Sequence, residues 1–275
     1  MAILAGMIRK AIKLGFKVVG VASAVAMSAC KSTPPTKIDV TSRPTTGKTG
    51  VVGLEGIRGF ASLSSADLDA LRSKKVFFGH QSVGQNLIDG ARAIGFPFSH
   101  VEDGASFATV SWGDAKIDKN GDPLRKFTSF KTLIADKGIG AKVDVATMKL
   151  CWIDFESGTD VGSLLAKYDA DVQALRAANP KLQLLHMTPP LTTSDPGLNA
   201  VRWKFGRAMI DKYRTDGLIF DLAEVIATGE DGTLCEKRGA PRLCDGWSSD
   251  EGHLNDAGSQ RAAKAFVAAV KRLVG

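Results

Sequence analysis

The chain has 275 residues, 44% of them apolar and 24% charged, with a formal charge of +7. That length holds at most about two domains, and that composition builds a sizeable core and excludes a disordered polymer. Arg9, Lys10, Lys13 and Lys17 fall within a first thirty residues that hold no acid. The other basic residues are scattered among acids, which excludes the basic stripe of a nucleic-acid-binding protein.

The basic segment at residues 9–17 is followed by an apolar run over 18–26, about the length of a secretory h-region. This run is too short and too rich in Ala and Gly for a comfortable bilayer span, which takes about 20 residues. Met27-Ser28-Ala29-Cys30 then resembles a bacterial lipobox, whose cysteine is lipidated and becomes the mature N-terminus, with Met27 in place of the usual leucine. The alternative is an ordinary signal peptide with a cysteine nearby. The expectation is a lipoprotein signal peptide over 1–30, a membrane anchor through lipidated Cys30, and a periplasm-facing place in the bacterial cell envelope. Residues 31–58, rich at first in Ser, Thr, Pro, Gly and Lys, read as a disordered tether, and the folded domain is expected over 59–275.

Within that domain residues 65–71 read as a short helix, 75–78 as a strand and 83–94 as a helix. Residues 144–151 form a second strand. The helix over 161–178 places Leu164, Leu165, Tyr168, Val172 and Leu175 on one face and is stopped by Asn179-Pro180. A strand over 182–187, a helix over 199–213, a strand over 218–222 and a final helix over 256–273 complete the series. Between 95 and 139 the pattern weakens. Trp112-Gly113-Asp114 and Asn120-Gly121-Asp122-Pro123 are turn signals, so this stretch reads as a long, partly irregular excursion. Strands alternating with helices imply an α/β three-layer sandwich with a central parallel sheet. In such sheets functional groups gather beyond the carboxyl ends of the strands.

Cys235 and Cys244, nine apart in a polar segment, are either two free thiols or a disulfide, and an oxidising compartment favours the bridge. Cys151, ending an apolar strand, reads as a buried small residue.

The strand ends supply His80 and Ser82, then Asp154, His186 and Asp221, and a polar loop before the last helix supplies Asp250 and His253. Three residues apart on a turn, the Asp250 carboxylate can reach the Nδ1–H of His253 and leave Nε2 as a general base. Ser82, at a glycine-flanked corner between strand and helix, is the best placed hydroxyl for that base. Backbone N–H groups of the following helical turn point where an oxyanion would form. Each residue also has a plain reading. Ser82 can be a helix N-cap; His80 can bond its loop or touch substrate; His186 is a core histidine; Asp154 caps a turn or lines the site; Asp221 terminates a strand. Trp112 and Trp152 pack in the core or stack on a sugar ring. The four histidines show no ligand spacing for a metal, and there is no glycine-rich phosphate loop, so no cofactor is expected.

With Ser82 after the first strand and Asp250-Glu251-Gly252-His253 before the last helix, the stretch 75–273 resembles the SGNH (GDSL-like) hydrolase family. The chain departs from that pattern twice. Gly79-His80-Gln81-Ser82 stands where the family has G-D-S, and Cys151-Trp152-Ile153-Asp154 stands where it has G-x-N-D, without the oxyanion asparagine. The resemblance implies a flavodoxin-like SGNH fold with Ser82 as nucleophile, His253 as base and Asp250 orienting His253. The N–H of Ser82 or Val83, Gly113 or Asn86 would supply oxyanion donors, and His80 and Asp154 are further binding candidates. It implies a serine esterase acting on an acylated small molecule or glycan, with an acetyl group on a cell-envelope or polysaccharide substrate fitting the compartment. The alternatives are a carbohydrate O-acyltransferase using the same triad, and a non-catalytic glycan-binding module on this fold.

Overall fold

Seven short strands, all parallel, form the centre of a computed structural model that describes residues 36–38, 43 and 46–275. The signal segment, Cys30 and most of the tether lie outside the described residues. The chain divides into residues 1–34 and 35–275, and the fold is that of the second unit. The strands are β1 (Gly50–Val52), β2 (Val76–His80), β3 (Ser99–His100), β4 (Trp112–Lys116), β5 (Val145–Met148), β6 (Gln183–Met187) and β7 (Leu218–Phe220). Their order across the sheet is β1-β7-β6-β5-β2-β4-β3. A hairpin of β8 (Glu236–Lys237) and β9 (Ala240–Pro241) stands apart, spanned by a Cys235–Cys244 disulfide. Cys151 is free and buried.

The helices are α1 (Glu55–Ala61), α2 (Ser65–Arg72), α3 (Val83–Ala93), α4 (Gly104–Phe107), α5 (Pro123–Lys131), α6 (Val161–Ala178), α7 (Pro196–Tyr213), α8 (Leu222–Ala227) and α9 (Asp256–Val274). Several begin where a side chain caps them: Ser64 and Asp67 form a reciprocal box at α2, and Asp160, Asp195 and Asn255 accept backbone N–H groups at α6, α7 and α9. Asp195 followed by Pro196 starts α7 three residues earlier than the periodicity predicts.

β2 is buried along its whole length, as a parallel central strand must be. Its pleat divides the molecule into two cores. Phe78 packs on Phe266 of α9, with ring centroids 6.0 Å apart, beside Val83, Leu87 and Ile88 of α3. Phe77 stacks on Phe130 of α5 at 6.2 Å, in the core that also holds Leu164, Tyr168 and Val172 of α6 and Phe205 of α7. Adjacent strands β2 and β5 therefore send their chains to opposite faces, β2 into α3 and β5 into α6. The crevice left at that reversal is where α/β sheets hold their sites.

Two expectations change. The ordered fold begins before residue 59, because Gly50–Val52 pairs with Leu218–Phe220 and α1 packs on α9. The turn-like Trp112-Gly113-Asp114 is part of strand β4, paired with β2 on one side and β3 on the other. Gly113 reads as a breaker in isolation. In the sheet a Cβ there would stand 2.7 Å from Phe107, so the close approach of that ring requires glycine.

Candidate active site

Gly84 N–H donates to the Gln81 carbonyl (2.8 Å), closing a turn in which Ser82 is the second residue with φ 41° and ψ −108°. These are close to the angles of the second position in a type II′ turn, where glycine is usual. A serine held there lifts its hydroxyl away from the chain. It caps nothing: α3 has no side-chain N-cap bond. Ser82 Oγ instead lies 2.5 Å from Nε2 of His253, across 171 positions of sequence.

The His253 side comes from the loop before α9. Asp250 Oδ1 accepts the backbone N–H groups of Gly252 and His253, both at 2.8 Å, and Oδ2 lies 2.8 Å from His253 Nδ1. The two backbone donors, with the imidazole behind them, pull the Asp250 carboxyl down to about 2. An ionised carboxylate only accepts, so Nδ1 carries the proton and the Nε2 lone pair faces Ser82. Asp250 and His253 are 56% and 38% exposed, so the pair is open to solvent and to a bulky partner.

The remaining candidates divide. The N–H groups of Ser82 and Val83 make no hydrogen bond to another described residue, and both open the first turn of α3 beside the Ser82 hydroxyl. Asn86 is engaged with the loop before α9: its amide clamps Leu254, with Nδ2 donating one N–H to the carbonyl and Oδ1 accepting the Leu254 N–H, both at 3.3 Å. Gly113 lies in register with Phe77, three residues short of the end of β4, and is not at the site. Asp154 is turned inward. Its oxygens accept from Lys126 Nζ (2.8 and 2.7 Å), Gly121 N–H (2.8 Å) and Cys151 N–H (2.6 Å), leaving none for a substrate. His80 is fully buried, and Nε2 lies 3.1 Å from Asp114 Oδ2. Burial, only partly offset by Asp114, pushes its pKa down, so it is neutral and donates Nε2–H to that carboxylate. Its ring lies under α3, where a Cβ on Gly84 would stand 2.3 Å from His80 Cβ.

His186 is a core histidine, stacked 3.9 Å from Tyr213 and accepting at Nδ1 from Tyr168 Oη (2.9 Å). Asp221 caps α8, accepts from Thr188 Oγ1 at 2.9 Å and pairs with Arg207. Trp112 is core and donates to the Leu71 carbonyl at 3.1 Å. Trp152 is half-buried and abuts the catalytic-loop candidate: a Cβ on Gly252 would stand 2.5 Å from its Nε1. Among the described residues no group of three His, Cys, Asp or Glu could hold a metal ion, and no helix is long and apolar enough to cross a membrane.

Residues that sequence reasoning passed over hold the site together. Gln81 Nε2 donates to the Asp118 carbonyl at 2.5 Å, fastening the Ser82 corner to the loop after β4. Arg202 reaches Trp152, Thr192 and Asn199. An arginine in the middle of an amphipathic helix carries no sequence signal for this; only its burial does.

No family profile matches the chain, and no curated protein matches it. Solved structures similar to it include a Streptococcus pneumonia protein provisionally described as a platelet activating factor. That one is 14% identical, with a TM-score of 0.47 over 78% of this chain and 88% of that one. Another is a Desulfitobacterium hafniense protein provisionally described as a lipolytic protein of the G-D-S-L family (11%; 0.44; 72% and 99%). A third is a carbohydrate esterase family 3 structure from Talaromyces cellulolyticus (14%; 0.38; 70% and 94%). At these identities and scores the likenesses carry no weight for the chemistry, which rests on the atoms of the site.

Proposed function

We propose that this chain is a serine ester hydrolase of the SGNH type that removes an acyl group, acetyl by preference, from a cell-envelope or polysaccharide substrate. The observation that carries the proposal is the continuous chain Ser82 Oγ, His253 Nε2, His253 Nδ1, Asp250 Oδ2, with links of 2.5 and 2.8 Å, on a turn strained to present the serine. Ser82 Oγ attacks the acyl carbon and its proton passes to His253 Nε2. The Ser82 and Val83 N–H groups receive the oxyanion in place of the absent asparagine, and loss of such a donor commonly costs about 10²–10³ in rate. His253 then protonates the departing alcohol as the C–O bond breaks. Water, deprotonated by the same imidazole, releases the acid and restores Ser82.

The openness of Asp250 and His253 favours a large alcohol over a small enclosed one. A sugar hydroxyl arriving instead of water gives acyl transfer with the same groups, and analysis of the products separates the two. Export to an oxidising, periplasm-facing compartment, with the anchor at Cys30, belongs to the same proposal. It is supported by the Cys235–Cys244 bridge, and intact-mass analysis of Cys30 tests it: an unmodified mature N-terminus sinks the anchor.

A fluorophosphonate probe tests the chemistry. It is expected to label the wild type and to fail on Ser82→Ala and His253→Ala. Folded wild-type protein that is neither labelled nor active on short acyl esters overturns the hydrolase.

A further inference from the structure

The Asp250–His253 pair sits on an exposed turn, yet a useful base needs its imidazole held within a fraction of an ångström. The turn is gripped at its two middle residues. Glu251 is held from the loop after β6: its carbonyl accepts from Thr193 N–H (2.9 Å) and Thr193 Oγ1 (3.3 Å), and its carboxylate accepts from Ser194 Oγ. Gly252 is backed by the Trp152 indole, close enough that no Cβ fits between them.

Both grips lead to one buried side chain. Arg202 of α7 is 1% exposed and, among the described residues, forms no salt bridge. Its Nε donates to the Trp152 carbonyl (2.9 Å), and its guanidinium lies 5.9 Å from that indole ring. Its Nη1 donates to Thr192 Oγ1 (3.2 Å) and to Asn199 Oδ1 (2.7 Å). Asn199 in turn closes on Thr192 from both sides, accepting its N–H (3.0 Å) and donating to its carbonyl (2.8 Å). A buried guanidinium whose hydrogen bonds go to neutral oxygens is costly to keep, and burial, only partly offset by the Asp195 charge, draws its pKa down to about 10. A packing role needs no charge, and an aliphatic side chain fills such a space at lower cost. The planar fork does what an aliphatic chain cannot: it fixes two loops at once in directions set by its N–H groups.

We infer that Arg202 is a positioning residue which, through Trp152 on one side and Thr192–Thr193 on the other, sets the Asp250–His253 turn against Ser82. This rests on the hydrolase reading for its consequence in rate, but the geometry it predicts is measurable without turnover. A neutral imidazole whose Nδ1–H is bonded to a carboxylate gives a low-field proton resonance, assigned to His253 by its loss in His253→Ala.

In full-length Arg202→Met the fold is expected to persist by near-UV circular dichroism. The His253 resonance is expected to vanish into exchange, and the fluorophosphonate labelling rate of Ser82 to fall at least tenfold. A folded Arg202→Met that keeps both resonance and labelling rate overturns the inference, as does a wild type without the resonance. If Arg202→Met does not fold, Thr193→Val/Ser194→Ala, at the half-buried outer end of the clamp, is expected to weaken the resonance and slow labelling at least threefold; wild-type behaviour there overturns it equally. A wild type that shows the resonance but takes no label overturns the hydrolase alone, and the clamp is then judged on the resonance.

Discussion

Ser82 combines a side chain that the chemistry needs with a backbone position suited to glycine. Non-glycine residues at such angles cost about 1–3 kcal/mol and persist where the surroundings impose them. Here the surroundings are the Gln81 side chain on Asp118, the His80 ring under Gly84 and the 2.6 Å bond from Gln85 N–H to the Ser82 carbonyl. Ser82→Gly and Ser82→Ala both delete the hydroxyl, so their difference isolates the backbone. Glycine is expected to be more stable than alanine by ~1 kcal/mol in urea, against its usual deficit. Equal or reversed midpoints remove the strain from the account. Ser82, Asp250 and His253 were legible in the sequence because each is a polar residue beside a predicted element end, a feature that needs no partner to be noticed. Arg202 and Gln81 were not, because each acquires its role from a carbonyl on another loop. Gly113 and Asp154 are placed away from the site for the same reason: strand pairing and an ion pair claim them first.

Beyond the carboxyl ends of the strands lie loops, and two of them are pinned together by charge. Lys126 and Asp154 form a fully buried pair that also gathers Asn120 Oδ1, Gly121 N–H and Cys151 N–H, joining the loop after β4 to the loop after β5. The pair leaves Ile153 and Leu124 44% and 48% exposed at the edge of these loops. Removing one member of such a pair strands the other: Lys126→Met is expected to cost about 3–5 kcal/mol in urea unfolding. Lys126→Met/Asp154→Asn is expected to recover much of that loss, since the amide oxygen still accepts from Gly121. A single-variant cost below about 1 kcal/mol shows that the loops stand without the pin. This region is also where the sequence was least informative about elements. β2, β5, β6 and β7 announce themselves as apolar runs, whereas β3 is two exposed residues and β4 carries Gly and Asp at its centre. β1 is three residues at the end of a polar tether, and its evidence is its register with β7.

The whole molecule stores neutral histidine in both of its cores, on opposite faces of one sheet. His80 lies under α3, and His186 lies between Tyr168 and Tyr213, where burial holds its pKa down at about 3. An unfolded histidine titrates near 6.5. As pH falls below about 6.5 the unfolded chain therefore takes up protons that the folded chain refuses, and stability declines. The effect is absent above that pH and grows as pH falls toward the folded values. Each such histidine contributes roughly 1.4 kcal/mol per pH unit, so His186 alone accounts for about 2 kcal/mol between pH 6.5 and 5. The carboxyls held lowest, Asp67 and Asp250 at about 2, act in another window. Their stabilisation is lost only as pH falls below about 4, where unfolded carboxylates protonate. Urea unfolding at pH 6.5, 5.75 and 5 therefore reads the histidines. His186→Phe keeps a ring stacked on Tyr213 and removes the proton acceptor, so its stability is expected to depend on pH less steeply than the wild type by about one proton. An unchanged slope in that variant, with the wild type still losing stability on acidification, moves the acid sensitivity away from the Tyr168–Tyr213 core and onto the His80 corner that holds Ser82.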